Sequence, residues 1–316
     1  MIFIFCSHPD YKGLSTPMSD TAPNLLIIGG AHVDRLARLK GPHVAQTSNP
    51  VDVVEDVGGG GFNAGRAAKR FNVSVDILSA RGGDAGGALV EAAIAAASMH
   101  DHSSVHLDRA TPSYTAILEQ DGALVTAIAD MNLYETAVPR SFKSAPVQKA
   151  AALADAILCD ANLSANGLGQ VFSEIASGKP VYVLAISASK VGRISRFLPQ
   201  LACLFMNRFE ASALTALAAT TPTAEFLQAL AAKGLLRAVI TDGGEPAYLL
   251  DNGTITLLTP PPSVIVDVTG AGDCLAGTMV AALLNKSTFI EAGKLGLAAA
   301  SITAFPLRRI TSDYAR

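Results

Sequence analysis

One segment near the C-terminus combines the residue types needed to bind a phosphate and to accept a proton. It reads Asp267-Val-Thr-Gly-Ala-Gly-Asp273, follows the apolar run 264–266 and opens a predicted helix. A Gly-Ala-Gly turn at a helix start directs main-chain N–H groups to one point beside the positive end of the helix dipole, which favours an anion. Gly270 and Gly272 let a phosphate approach the backbone, and we expect Asp273 to stay ionised and to accept a proton. The alternative is that Asp273 only caps the helix and the glycines only form the turn.

A second glycine-rich turn precedes another small-residue helix. It reads Gly58-Gly-Gly-Gly-Phe-Asn63, and Asn63 offers both a donor and an acceptor to a polyol hydroxyl. It lacks the Lys of GxxxxGK[ST], so it is not a Walker A loop. The strand-like segment 27–34 lacks the third glycine of GxGxxG and no clear helix follows it, which disfavours a dinucleotide site. An NAD-dependent oxidoreductase stays open as an alternative that a nicotinamide titration would exclude.

Short β-rich runs alternate with Ala-rich helical stretches from Asn24 onwards, which is typical of an α/β domain with a largely parallel sheet. The sequence predicts core strands at 25–28, 75–78, 156–159, 181–185, 201–205, 238–241 and 247–250. It predicts helices at 63–70, 87–98, 166–177, 210–218, 223–233, 271–284 and 289–303.

Two stretches interrupt this alternation. Residues 43–57 have extended character without a helix, and residues 113–129 contain Asp121-Gly122 between two β-prone runs. Asp-Gly in that position is typical of a hairpin turn. These strands are expected to form either a small sheet that covers a site as a lid or simple edge strands of the main sheet.

Four motifs together resemble those of the ribokinase-like (PfkB) family of carbohydrate and nucleoside kinases. Residues 267–273 match the family's DTxGAGD signature, 58–64 its GGxGxN motif, 30–34 its first substrate loop, and 207–210 its NxxE motif. Their order and spacing agree over nearly the whole chain, which is more specific than any single motif.

The resemblance implies an α/β three-layer sandwich with a mostly parallel central sheet and a small β-sheet lid. The kinase domain would cover 24–316, with lid strands from about 43–57 and 108–131. Residues 1–23 would form a disordered tail, in which Met18 is a candidate natural start.

The family's chemistry is phosphoryl transfer, and the resemblance assigns each part to a residue. Asp273 would be the base, and the amides of Gly270, Ala271 and Gly272 would stabilise the charge on the transferring phosphoryl group. The side chains or backbone of the first loop and of the glycine-rich turn would contact the substrate: His32, Asp34, Gly59, Gly60 and Asn63. Ribose recognition of the ribokinase kind is disfavoured, because Gly60 replaces a Lys of ribokinases and His32 replaces an Asn of many relatives. His32 either contacts the ligand or fills space, and Asp34 either binds a hydroxyl or caps a turn.

The resemblance also implies ATP and Mg²⁺, and K⁺ in many members. Asn207 and Glu210 would organise the ATP phosphates and the water shell of Mg²⁺, which prefers carboxylate, water and phosphate oxygens. The alternative for Glu210 is a first-turn helix residue. The nucleotide would lie beside four further positions: Thr241, Gly243, Gly244 and Leu297. Asp267 and the carbonyl of Thr269 resemble part of a monovalent-cation site, although the tail 304–308 departs from the pattern that completes it.

Three segments resemble the pseudouridine kinase branch of the family: 48–50, 111–114 and 127–132. The expected reaction is ATP-dependent phosphorylation of the 5′-hydroxyl of pseudouridine; the alternatives are ribokinase-, fructokinase- or adenosine kinase-like activity. The candidate contacts from the hairpin are Ser113, Tyr114, Asp130, Met131 and Asn132. Polar groups of this segment would reach a uracil edge while Met131 packs on the ring face. Alternatively, Met131 belongs to the core and Asp130 ends a strand.

Composition excludes several other classes of protein. The 316 residues include 24 Lys+Arg against 27 Asp+Glu, a net charge of -3, which leaves no basic surface for nucleic acid. No apolar run is long enough to span a membrane. The four cysteines form no CxxC pair, so neither a zinc site nor a disulfide framework is indicated and a reducing cytoplasm is expected.

The expected partners are a small nucleoside or sugar and a second copy paired through the lid. A binding protein that has lost catalysis is the non-enzymatic alternative.

Overall fold

The computed structural model of the chain describes residues 2–3, 15–16, 22–262 and 270–303. In chain order, the strands are β1 (Ile2–Phe3), β2 (Ser15–Thr16), β3 (Asn24–Ile28), β4 (His32–Leu39), β5 (Val51–Gly58), β6 (Ser74–Leu78), β7 (Ala80–Gly82), β8 (His100–Asp101), β9 (Ser104–His106), β10 (Ser113–Leu118), β11 (Leu124–Asp130), β12 (Ala156–Asp160), β13 (Val181–Leu184), β14 (Cys203–Asn207), β15 (Arg237–Thr241), β16 (Ala247–Asp251) and β17 (Thr254–Leu258). The α-helices are α1 (Gly60–Lys69), α2 (Ala85–Ala96), α3 (Asn132–Ser141), α4 (Ala145–Leu153), α5 (Ala165–Gln170), α6 (Arg208–Thr215), α7 (Thr223–Ala232), α8 (Ala271–Leu284) and α9 (Phe289–Thr303). A π-helical turn (Val171–Ile175) continues α5, and a 3-10 helix (Val191–Gln200) precedes β14.

The central sheet has the strand order β17-β16-β15-β14-β13-β12-β3-β6-β8. Pairing is parallel from β15 to β8 and antiparallel from β15 to β17. In β3, Leu25 and Ile27 pack into one core with α1, α2, α8 and α9, whereas Leu26 and Ile28 pack into the other core with α3 to α7. Successive side chains of a strand point to opposite faces, so an uninterrupted apolar run fits a sheet with helices on both sides. The predicted three-layer arrangement is confirmed.

The lid is a separate four-stranded sheet with the order β11-β10-β4-β5 among the described residues. Sequence analysis did not predict β4 as a strand, because its segment carries Asp34, Arg35 and Arg38 instead of an apolar run. Residues 43–50, predicted to be extended, form a turn in which the Asn49 side chain bonds to the backbone of Val44. The strand itself begins at Val51.

Several other boundaries differ from the prediction. Helices α3 and α4 and the 3-10 helix were not predicted, and the predicted helix 166–177 changes to π-helical geometry after Gln170. The strand predicted at 201–205 lies two residues later, so that Asn207 ends β14 and caps α6. In the predicted tail, β1 pairs antiparallel with β2; the tail's disorder and the domain boundary stay predictions. Met18 and the predicted strand 264–266 lie outside the described residues. No helix in the described ranges has the length and apolarity to cross a bilayer.

Candidate active site

A cleft of about 890 Å³ lies between the lid and the carboxyl ends of the central strands. In open α/β sheets, ligands bind at this edge. The predicted residues that line the cleft are His32, Asp34, Gly59, Gly60, Asn63, Tyr114, Met131, Asn207, Glu210, Thr241, Gly243, Gly244, Gly270, Ala271, Gly272, Asp273 and Leu297. The fold therefore brings both glycine-rich turns and the NxxE segment to one opening.

The start of helix α8 forms a wall of the cleft that favours an anion. Gly270, its N-cap, has a φ of 75°, a left-handed conformation that favours glycine. The first N–H groups of a helix have no intrahelical acceptor, so those of Ala271 and Gly272 are available at the positive end of the dipole. A Cβ at Gly272 would meet no atom within 4 Å, so the cleft is open beside them. This geometry fits a phosphate group.

Asp273 and Asn63 meet at the bottom of the cleft, although they are far apart in the sequence. Asn63 Nδ2 donates a hydrogen bond to Asp273 Oδ2 at 3.1 Å. Burial raises the pKa of Asp273 above the ordinary aspartate value, and the hydrogen bond from Asn63 opposes that rise. Burial is the largest influence on this pKa, and the expectation that a helix start keeps the acid ionised stays a prediction. A carboxyl group with a raised pKa is a stronger base once it has lost its proton.

Close packing of α1 on α8 holds these two side chains together. A Cβ built on Gly277 would lie 2.0 Å from the carbonyl oxygen of Ala64, so only glycine permits this approach of the two backbones. Asp273 and Gly277 are four residues apart and therefore lie on one face of α8. The contact between Ala64 and Gly277 thus lies one turn below the hydrogen bond between Asn63 and Asp273.

The lid strand β4 presents Asp34 to the cleft, and a buried tyrosine supports it from behind. His32 Nε2 lies 3.2 Å from Asp34 Oδ1, and His32 Nδ1 lies 3.2 Å from the hydroxyl of Tyr134. That hydroxyl donates to the carbonyl oxygen of Ala31 at 2.9 Å. The contact of Asp34 with His32 lacks the geometry of a hydrogen bond, and Asp34 Oδ1 is buried beside it. Asp34 itself lines the cleft, where its carboxylate can accept a bond from a substrate hydroxyl.

The residues of β10 and β11 that were predicted to contact the substrate fall into two groups, because successive side chains of a strand point to opposite faces of the sheet. Tyr114 pairs with Asp34 and with Ala129, and all three line the cleft. Ser113 and Asp130 pair with each other one position along, so they point to the opposite face of the lid and do not line the cleft.

Asn132, the last residue of this segment that was predicted to contact the substrate, lies on a helix. Asn132 is exposed at the start of α3, directly after Met131, which caps that helix and reaches the cleft wall. Neither Asn132 nor the outward-facing lid positions are brought to the cleft, and their contact with a substrate stays a prediction.

The opposite end of the cleft contains the candidate nucleotide residues. Asn207 Oδ1 accepts from the Glu210 N–H at 2.9 Å, and Glu210 Oε2 accepts from the Asn207 N–H at 2.7 Å. This is a capping box, so the alternative reading of Glu210 as a first-turn residue describes its local role. Burial raises the pKa of Glu210, the bond from Asn207 lowers it, and the nearby charge of Asp273 raises it. Thr241, Gly243, Gly244 and Leu297 line this end.

The proposed cation ligands Asp267 and Thr269 lie outside the described residues. Among the residues with described positions, no three His, Cys, Asp or Glu side chains are grouped to hold a metal ion. The carboxylates that line the nucleotide end are those of Glu210 and Asp242, and so few protein ligands suit a metal held mostly by water and phosphate.

Sequence analysis missed a polar group at the end of β12. Asp160, fully buried, accepts from the Gly30 N–H at 2.7 Å and from Asn162 Nδ2 at 3.2 Å. Lys190 Nζ donates to Asn162 Oδ1 at 2.6 Å, and burial lowers the pKa of Lys190. Asn162 and Lys190 both line the cleft. The available signal was Asp160-Ala-Asn162 directly after a predicted strand; Lys190 gave none, because the adjacent 3-10 helix was not predicted.

Known proteins are similar to this chain in sequence and in fold. The sequence profile described as pfkB family carbohydrate kinase matches residues 23–306. The chain is 27% identical over 279 residues to the pseudouridine kinase of Escherichia coli (strain K12), covering 84% of this chain and 86% of that protein. A carbohydrate kinase from Agrobacterium tumefaciens superposes with a TM-score of 0.77 at 40% identity, covering 89% of this chain and 90% of the other. A ribokinase from Arabidopsis thaliana, solved with ribose and ATP, has a TM-score of 0.77 at 22% identity over 89% of this chain and 92% of its own. The predicted ribokinase-like fold is confirmed, and the match over nearly the whole length shows that the chain belongs to the pfkB family of carbohydrate kinases.

Proposed function

We propose that this protein is an ATP-dependent kinase that phosphorylates the 5′-hydroxyl of pseudouridine to give pseudouridine 5′-phosphate. The observation that carries the proposal is the hydrogen bond between Asn63 and Asp273 at the start of α8, at the point where the lid meets the anion-binding amides. A base and a phosphate cradle at one place are what transfer of a phosphoryl group to an alcohol requires.

Each chemical task in this proposal falls to residues of the described cleft. Asp273 removes the proton of the attacking hydroxyl, while Asn63 keeps the carboxylate facing the substrate. Asp34 accepts a hydrogen bond from a ribose hydroxyl and fixes the acceptor's orientation. The N–H groups of Ala271 and Gly272 stabilise the charge that develops on the transferring group.

The nucleotide end fits ATP with Mg²⁺. The open space beside Gly243, where a Cβ would meet no atom within 4 Å, permits phosphates or ribose to approach the backbone. Mg²⁺ requires few protein ligands when phosphates and waters complete its shell, and Glu210 is the carboxylate that would orient those waters. Bound Mg²⁺ would neutralise phosphate charge. Dependence on K⁺ through Asp267 and Thr269 is part of the proposal.

The choice of pseudouridine rests on the acceptor end of the cleft. Tyr114 and Met131 offer flat or flexible apolar contact for a ring, while Asn162 and Lys190 add an amide and a cation to the lining of the same cleft. A base with two imide groups needs several donors and acceptors, whereas a simple ketose needs only hydroxyl partners. The similarity to the Escherichia coli pseudouridine kinase supports this choice.

The test is turnover with ATP and Mg²⁺ across pseudouridine, uridine, adenosine, ribose and fructose. We expect the highest kcat/KM for pseudouridine, and we expect Lys190→Met to raise the KM for the acceptor about tenfold without changing that for ATP, because a hydrogen bond to a charged group is lost. The exposed Lys233, far from the cleft lining, provides the matched Lys233→Met control. Turnover of ribose or fructose with no response to pseudouridine would replace the proposal by another sugar kinase activity of the family.

We also propose that two copies pair through the lid. The outer strands β5 and β11 carry four exposed apolar side chains, Val53, Val54, Leu124 and Ile128, and open strand edges with apolar residues favour pairing with another sheet. Light scattering of the wild type and of a Val54→Lys variant tests this: a dimer that becomes a monomer supports it, and a wild-type monomer contradicts it.

A further inference from the structure

We propose that Arg66 is a positioning residue for the catalytic base, acting through Asn63. Arg66 Nη2 donates to Asn63 Oδ1 at 3.1 Å, and Asn63 Nδ2 donates to Asp273 Oδ2 at the same distance. The three side chains form a continuous chain of hydrogen bonds that leads from a cation on α1 to the carboxylate on α8. The inference rests on the proposed kinase function and extends it to a residue outside the four motifs.

The chemistry of the two outer groups determines the orientation of the amide between them. A guanidinium group can only donate hydrogen bonds, and an ionised carboxylate can only accept them. The Asn63 amide therefore satisfies both neighbours only with its oxygen towards Arg66 and its nitrogen towards Asp273. Without Arg66, the bond to Asp273 is left to hold the amide in this orientation.

Arg66 is itself well placed for this role. It lies three residues after Asn63, so the two side chains are neighbours on the surface of α1. Its guanidinium lies over the ring of Phe62, 4.9 Å from the centroid, and Phe62 is buried in the core between α1 and the sheet. This contact restricts the guanidinium plane, and a cation bound to the amide oxygen also polarises the amide and strengthens the N–H donor at its other end.

The charged groups around Asp273 make the hydrogen bond donated by the Asn63 amide important. The charged groups that influence Asp273 are Asp160 from β12, Asp34 and His32 from β4, and Glu210 from α6. The two aspartates raise its pKa, and the hydrogen bond from Asn63 is the largest influence that lowers it. An amide fixed with its nitrogen towards Asp273 therefore holds the pKa of the base lower than burial alone would.

The two hydrogen bonds of Asn63 also limit which of its polar groups remain available to a substrate. One N–H of its amide is directed to Asp273, and one lone pair of its oxygen accepts from Arg66. One N–H and one lone pair remain for a substrate hydroxyl. The remaining N–H suits a hydroxyl oxygen whose own proton is directed to the base.

The test compares Arg66→Met and Arg66→Gln with the wild type, using the acceptor that the wild type phosphorylates best. The matched control is Arg70→Met, which changes an exposed residue at the end of the same helix. For both Arg66 variants we expect kcat to fall roughly five- to tenfold, as for loss of one hydrogen bond, and the acid limb of kcat/KM to move up by about 0.5 to 1 pH unit. Arg70→Met should change neither. Unchanged kcat and an unchanged acid limb in both Arg66 variants would overturn the proposal.

A double-mutant cycle separates positioning from a merely structural role. In an Asn63→Ala background, Arg66→Met should change kcat by less than twofold, because the amide that transmits its effect is absent. An equal loss in both backgrounds would show that Arg66 acts by another route and would refute the proposal.

A second measurement does not depend on turnover. The pH dependence of the difference in Tm between each protein and its Asp273→Asn derivative reports the pKa of Asp273. In the Arg66→Met background, this dependence should extend to higher pH. If the pH dependence extends to higher pH but no acceptor is turned over, the kinase proposal is rejected and the influence of Arg66 on Asp273 is supported. If turnover is normal and the pH dependence does not extend, only the role proposed for Arg66 is rejected.

Discussion

Replacement of Gly277 by alanine tests whether helix packing sets the catalytic geometry. The new Cβ would lie 2.0 Å from the carbonyl oxygen of Ala64, whereas ordinary contacts begin at 3.4 Å, so α1 and α8 must separate by about 1.4 Å, the difference between these distances. The Asn63–Asp273 hydrogen bond, 3.1 Å long, lies one turn away, and a shift of that size breaks it. Misplacement by about 1 Å can lower a rate by roughly 10²-fold, and overpacking costs about 1–3 kcal/mol of stability.

The assay is kcat at a temperature at which circular dichroism shows the variant to be folded. The control is Gly192→Ala, because a Cβ there meets no atom within 4 Å; it should retain the wild-type kcat. A folded Gly277→Ala variant with a lowered Tm and a kcat within twofold of wild type would show that the approach of the two helices is structural and does not set the position of the base.

Three further outcomes follow from the geometry around Asp273. Asp273→Asn should lower kcat by roughly 10²-fold or more while acceptor binding in a thermal-shift titration persists; near-normal turnover would remove Asp273 from its role as base. Because burial raises the pKa of Asp273, the wild-type kcat/KM should decline with falling pH already above the range of an ordinary aspartate, and a decline only in that ordinary range would contradict the assignment. Tyr134→Phe removes the hydroxyl that contacts Ala31 and His32; it should lower Tm and raise the acceptor KM roughly fivefold, and an unchanged KM would show that this network does not position the lid.

The sequence could reveal the parts of the site that depend on local backbone chemistry. Gly270 marks the start of α8 because its left-handed backbone favours a residue without a side chain, and Gly272 leaves the helix end open for a ligand. The apolar runs of the central strands follow equally from burial on both faces. Asn63 and Asp273 were assigned to one site only through the family resemblance, because no local rule relates residues 210 positions apart.

Other features depend on tertiary contacts that leave no local pattern. Tyr134 lies on a helix that was not predicted, and its hydroxyl matters only because β4 passes beside it. The orientation of Ser113 away from the cleft depends on the register of the lid, and a shift of one residue would reverse it. Sequence analysis assigned no role to Arg66, because its bond to the Asn63 oxygen, three residues earlier, is visible only in the structure.

The accumulation of buried acids explains why the site needs these distant supports. Burial raises the pKa values of Asp160, Glu210 and Asp273, so the folded chain holds protons more tightly there than the unfolded chain does. Between the ordinary and the raised pKa of such a group, the free energy of unfolding falls as pH rises. Ionisation of these groups therefore lowers the stability of the fold, and Asp273→Asn should raise Tm at neutral pH while it lowers kcat roughly 10²-fold or more. If Tm does not rise, the hydrogen bond from Asn63 and the N–H groups at the start of α8 already offset the free-energy cost of burying the charge. A rise would show that the base is kept for its chemistry at the expense of stability, as expected for a group placed to act rather than to hold the fold.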